Sequence, residues 1–124
     1  MAIREPALTL GIEEEYLLVD RETGAVAAEP PDELFAALHE RTAGRAFPEF
    51  LRAQVEVATP VCRDIGEARR ELGGLRRAVI EEADRFGLAP IAASLAEEIA
   101  PGITARMSRI RYLTAMSVAA RVLE

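Results

Sequence analysis

The sequence has no tryptophan, two tyrosines and four phenylalanines among its 124 residues. Its core therefore has to be assembled mainly from leucine, isoleucine, valine and alanine. Cys62 is the only cysteine, which excludes an internal disulfide and fits a reducing, cytoplasmic setting. No histidine stands near it in sequence to act as a base, so it is expected to be a structural thiol. His39, the single histidine, falls in a helical pattern and is expected at the surface rather than as a ligand. No window approaches the roughly 18 uninterrupted apolar residues of a spanning helix, and Met1–Pro6 lacks a signal-peptide run. A soluble protein with no membrane partner is expected. Basic residues are outnumbered, with a net charge of −6 and a pI near 4.9, which argues against a general nucleic-acid binder. Glycine-rich phosphate-binding loops are absent as well.

What is present is half apolar and 29% charged, the balance of one soluble domain spanning residues 1–124. From Ala7 to Val19 a period of two predicts a strand. Leu8, Leu10, Ile12, Tyr16 and Leu18 share one face; Thr9, Gly11, Glu13, Glu15, Leu17 and Val19 share the other. Asp20–Gly24 reads as a tight turn, with Gly24 free to take positive φ, and Ala25–Ala28 as a short returning strand. Pro30-Pro31-Asp32-Glu33 opens a helix to about Arg41 that turns Leu34, Phe35 and Leu38 inward.

Phe50 to Thr59 alternates again, with Leu51, Ala53, Val55 and Val57 on one face and Arg52, Gln54 and Glu56 on the other, until Pro60 stops it. Asp64-Ile65-Gly66-Glu67 has the form of a capping box. The helix it opens turns Ile65, Ala68, Leu72, Leu75, Val79, Ala83 and Phe86 inward and ends at Gly87. Gly73-Gly74 within it predicts close packing, against the sheet. Leu88–Ser94 reads as a further strand, which Pro90 demotes to an edge or to an irregular pairing. Glu97–Gly102 is a predicted loop and Ile103–Leu123 a final helix. These elements make an α+β fold: a small, mainly antiparallel sheet with helices packed on one face.

Residues two apart on a strand project from one face with Cα atoms about 6.6 Å apart, so Glu13 and Glu15 form a carboxylate pair. If the Phe50–Thr59 strand pairs beside the first, Glu56 joins them, with Gln54 and Arg52 farther along. Such a face is either solvated, as charge runs usually are, or held by a divalent cation such as Mg²⁺, which takes oxygen ligands. Strands disfavour glutamate and like charges on one face repel, which raises the weight of the cation. Glu14 falls on the apolar face between Ile12 and Tyr16; an edge position, an arginine partner or a bulge would each accommodate it.

Thr9-Leu10-Gly11-Ile12-Glu13-Glu14-Glu15-Tyr16, followed by Leu-Val-Asp and a Thr-Gly turn, resembles the opening of glutamate–cysteine ligase family 2, the bacterial carboxylate–amine ligases. Gln54-Val55-Glu56-Val57-Ala58-Thr59-Pro60-Val61-Cys62 resembles that family's next motif, and the helix from Glu67-Ala68-Arg69 through Leu75-Arg76 is similar to the family's succeeding helix. The resemblance covers about residues 7–93 and leaves 94–124 as a divergent helical tail. It implies a glutamine-synthetase-like catalytic fold, ATP as co-substrate, Mg²⁺ or Mn²⁺ as cofactor, and formation of a γ-glutamyl amide through an acyl phosphate. The implied small-molecule substrates are glutamate, ATP and an amine such as cysteine. It also implies Glu13, Glu15 and Glu56 as metal ligands; Arg52 and Gln54 are added from the face assignment as possible substrate or phosphate contacts, a surface ion pair being the alternative for Arg52.

After Ile91-Ala92-Ala93 the family usually continues Gly-Thr-His-Pro, whereas this sequence reads Ser94-Leu95-Ala96-Glu97; a later His-Val-His element does not occur. The chain is therefore expected to be the family's N-terminal portion, forming a homo-oligomer or joining a partner chain that completes the sheet, and active only when a partner supplies the missing ligands. The alternative expectation is a truncated, non-catalytic fragment or a self-associating interaction module.

Overall fold

The computed structural model describes residues 8–49 and 51–92. They form β1 (Glu13–Asp20), α1 (Asp32–Arg41), β2 (Ala46–Pro48), β3 (Gln54–Ala58), α2 (Ile65–Arg85) and β4 (Leu88–Ile91). The four strands make one antiparallel sheet in the order β2-β3-β1-β4. The α+β arrangement expected from the two hydrophobic periods is what the chain adopts.

β1 is central because Tyr16-Leu17-Leu18-Val19 is apolar on both faces and has to be covered on both. It pairs with β3 from Glu13↔Ala58 to Leu17↔Gln54, and with β4 from Leu17↔Ile91 to Asp20↔Leu88. On one face Tyr16, Leu18, Val55, Val57 and Leu88 pack against Leu34 and Leu38 of α1 and Leu72, Leu75, Val79 and Ala83 of α2. On the other, Leu17, Val19, Ala53, Ala89 and Ile91 form a second, smaller cluster that Val26 joins.

The local signals account for most boundaries. Asp20 Oδ1 accepts from the Glu22 and Thr23 amides, and Gly24 takes φ +72°, closing the turn after β1. Asp64 caps α2 by accepting from the Glu67 amide at 2.8 Å. The reciprocal half of the box is displaced: Glu67 Oε2 accepts from the Arg63 amide at 2.7 Å, one residue before the cap. Gly87, at φ +70°, turns the chain into β4, which occupies an edge where Pro90 withholds no needed donor.

Several expectations are corrected. β1 starts at Glu13, later than expected; among the described residues before it, only Leu10 bridges, to Cys62. From the Glu13↔Ala58 pair to that bridge the chain runs three residues on one strand and four on the other, so the pairing is out of step there. Ala25–Ala28 contributes only the bridge Val19↔Val26. β3 is the five residues Gln54–Ala58, and Leu51 before it is exposed. Ile65 is 78% exposed instead of inward, because it precedes the first α2 turn that reaches the sheet. Among the described residues, a Cβ built on Gly73 or Gly74 would meet nothing within 4 Å, so neither glycine makes the expected close approach to the sheet. The predicted loop and final helix after Glu97 lie outside the described residues.

Candidate functional site

The site begins with the register of β1 on β3. Glu15 and Glu56 are direct cross-strand partners, and Phe47 of β2 pairs with Glu56 from the other side. Directly opposed like charges repel across an antiparallel pair. The chain adds a third: Glu49, just beyond β2, donates its amide to the Gln54 carbonyl at 3.1 Å and so stays beside β3. One carboxylate oxygen from each of Glu15, Glu49 and Glu56 lies within 4.8 Å of the others. All three stand on the sheet face opposite α1 and α2.

The electrostatics of the cluster follow from that crowding. A hydrogen bond with Glu49, then burial, then the negative charges of Glu49, Glu13 and Glu15 raise the Glu56 carboxyl from 4.5 to about 7. Near neutral pH Glu56 therefore still shares a proton with its neighbour Glu49. Gln54 Nε2 donates to Glu15 Oε1 at 2.6 Å, and Gln54 is itself buried, so this glutamate is aimed by a fixed neighbour. An all-oxygen donor set suits a hard divalent cation such as Mg²⁺ or Mn²⁺, which would displace the shared proton. The residues present fit such an ion.

The sequence candidates are distributed unevenly around this cluster. Glu15 and Glu56 meet. Glu13 sits one pleat away, opposite Ala58, and contributes negative charge to Glu56 without joining the trio. Gln54 holds Glu15. Arg52 is not on the strand: it turns to the start of α1, pairing with Asp32 and with Glu29 at 3.3 Å, and reaches the Pro30 carbonyl at 3.5 Å. Glu49 was missed by sequence reasoning, since the Ala46–Pro48 strand is too short to show a period and only the β2–β3 pairing brings its end beside Gln54.

On the opposite face Glu14 has the arginine partner that its position required. Arg76 of α2 grips both carboxylate oxygens, one through Nε at 2.8 Å, and the Tyr16 hydroxyl donates to the same group. Burial pushes the Glu14 carboxyl up, but the hydrogen bonds from Arg76 and Tyr16 hold it below its ordinary value. Cys62 is fully buried, with its Sγ 3.1 Å from the Pro60 carbonyl oxygen, and His39 is exposed on α1.

With this geometry in place, the comparison with known proteins is decisive for the family. The family model of glutamate-cysteine ligase family 2 matches residues 9–121. The chain belongs to that family. The match runs past Ala93, where the motif resemblance ended. A relative from Rhodospirillum rubrum, provisionally named glutamate–cysteine ligase 2, is 58% identical over 96 residues, covering 74% of this chain and 25% of its own length. Similarly named relatives from Jannaschia sp. and Paracoccus denitrificans are 57% and 51% identical over 86 and 87 residues, covering 69% and 70% of this chain and 22% and 23% of their own. The chain thus spans about a quarter of the length of the curated relatives it matches. Among the described residues, no helix is long and apolar enough to cross a membrane.

Proposed function

We propose that this family-2 chain is the N-terminal part of a cytoplasmic, ATP-dependent carboxylate–amine ligase of glutamate–cysteine ligase type. Its carboxylates Glu15, Glu56 and Glu49, with Glu13 at the margin, would bind Mg²⁺ or Mn²⁺. The observation that carries this reading is the convergence of those three carboxylates, from three neighbouring strand segments, on the sheet face opposite α1 and α2. In the proposed reaction a γ-carboxylate oxygen of glutamate bonds to the γ-phosphorus of ATP as the bond to ADP breaks. The amine nitrogen then bonds to the acyl carbon, phosphate leaves, and the nitrogen loses a proton to solvent. A bound divalent ion supplies charge neutralisation at the phosphate oxygens.

The chain's own residues have narrower tasks. Glu56 gives up its shared proton so that the cluster can accept an ion, and Gln54 keeps Glu15 turned toward Glu56. Arg52, already committed to Glu29 and Asp32, is a weaker candidate for substrate contact than Gln54. The test has two parts. Mn²⁺ titration of the chain, followed by electron paramagnetic resonance, should show a site that Glu15→Gln/Glu56→Gln removes. Phosphate release from ATP, measured with a partner chain that completes the site, should require both glutamate and cysteine and disappear in the same variant. Wild-type chain indistinguishable from the variant in both assays sinks the proposal.

A second reading, a self-associating module that lacks catalysis, is favoured by one observation. Leu8, Val61 and Ile65 are 88%, 74% and 78% exposed and cluster in sequence around the Leu10–Cys62 bridge. Sedimentation of the chain as a monomer at all concentrations would count against it.

A further inference from the structure

The hydrophobic pattern of β1 does not by itself fix which glutamates reach the open face. Three consecutive glutamates, Glu13-Glu14-Glu15, are followed by four consecutive apolar residues, Tyr16-Leu17-Leu18-Val19, all buried. A strand slipped by one residue flips every side chain to the other face. In most half-buried strands such a slip exposes the apolar set and buries the polar one. Here it would exchange apolar for apolar across Tyr16–Val19 and glutamate for glutamate across Glu13–Glu15. Two of the discriminating signals common in strands are thus silent.

One group breaks the degeneracy. Glu14, on the helix-covered face, is held by Arg76 through both carboxylate oxygens and by the Tyr16 hydroxyl two residues on. Arg76 belongs to α2, whose Leu72, Leu75 and Val79 are anchored in the core, so the guanidinium is fixed relative to the sheet. Its planar fork takes one carboxylate in one orientation. A slipped β1 would present two glutamates to that face and to a single arginine. The pair is three-quarters shielded from solvent, with side-chain exposures of 24% for Glu14 and 27% for Arg76, so the surplus charge would be costly.

We infer that the Glu14–Arg76–Tyr16 clamp is the positioning device that sets the register of β1 and so delivers Glu13 and Glu15 to the face of Glu56. The inference rests on the proposed metal site only for what is positioned; the register itself is measurable without an ion.

The experiment compares the wild-type chain with Glu14→Leu/Arg76→Met, which replaces the pair by apolar groups of similar size, and with Glu14→Gln, which still accepts from Arg76. Metal-free NMR reads the Glu15–Glu56 cross-strand contacts, and Mn²⁺ titration reads affinity. Expected are a folded double variant in which those contacts weaken or split into two sets, an affinity about tenfold lower, and recovery of both in Glu14→Gln. A folded double variant with wild-type contacts and affinity overturns the inference. Should the double variant fail to fold, Arg76→Lys carries the test, because it keeps the charge and loses the fork; unchanged contacts in it overturn the clamp equally. If the wild type binds no Mn²⁺ while the contacts shift as expected, the clamp stands and the metal site falls.

Discussion

The two faces of β1 handle the same side chain in opposite ways. Toward the helices, Glu14 is neutralised by a partner from the chain itself, with every carboxylate oxygen engaged. Away from them, Glu15, Glu49 and Glu56 bring carboxylate oxygens within 4.8 Å of one another, Gln54 donates to Glu15, and the crowding raises the Glu56 carboxyl to about 7. Like charges crowded on one strand face repel, and a pair such as Glu14–Arg76 removes that repulsion on the other face. The contrast supports the proposed division of labour: the helix face holds the sheet together, and the face of Glu15 and Glu56 is where the proposed cation would bind.

The largest effect expected from breaking this contrast lies in the support face. Leu18 is fully buried beneath both helices, and Leu18→Ala should destabilise the chain by about 3 kcal/mol in urea unfolding, from lost transfer energy and an unfilled cavity. Arg76→Ala comes next, at about 2–3 kcal/mol, because Glu14 is then left charged and largely shielded. A loss below about 0.5 kcal/mol in the same assay would mean that solvent reaches Glu14 freely and that the two faces do not differ in kind.

The open face should respond with the opposite sign. Glu56 binds its proton more tightly in the folded chain, at about 7, than its ordinary 4.5. The resulting stabilisation is complete below the ordinary value and is lost as pH rises through about 7. Glu14, held below its ordinary value, contributes stability above the carboxylate range and loses it only as pH falls through its depressed value. Metal-free melting temperatures should therefore fall between about pH 4.5 and 7. Glu56→Gln should flatten that slope and gain about 1 kcal/mol at pH 8, a figure kept small by solvent screening. Saturating Mg²⁺ should stabilise wild type and leave the variant unmoved, since an ion that binds only the folded state adds to its stability. A wild-type melting temperature that rises across the pH window would remove the crowded-carboxylate picture.

Much of this was legible in the sequence where one period dominates. The α2 stripe of Ala68, Leu72, Leu75, Val79 and Ala83 repeats often enough to locate the helix and its buried face, and Asp64 and Gly87 mark its ends. The pairing of Glu15 with Glu56 needed only two alternating segments and the assumption that they are neighbours, which the sheet order satisfies. What was not legible depends on tertiary register. Glu49 joins the cluster through β2, a three-residue strand with no readable period. Arg52 alternates correctly with Gln54 and Glu56 on paper, but the strand begins two residues later, and the acids at the start of α1 claim the guanidinium. Ile65 has the right spacing for the core stripe, yet spacing cannot tell that the first turn of α2 overhangs the sheet.

The smallest expected effect tests whether α2 works through one face only. Gly73-Gly74 predicted a second close contact, but a methyl group added at either position would meet nothing within 4 Å among the described residues. Neither glycine has positive φ, so alanine fits the backbone as it stands. Gly74→Ala should then stabilise the chain by about 0.5–1 kcal/mol, through a less disordered unfolded state and better helix propensity, with Gly73→Ala close behind. Thermal melts should register this as a rise of a few degrees. If Gly74→Ala instead lowers the melting temperature, something packs on the outer surface of α2, and the division into one supporting face and one functional face would need a third surface added to it.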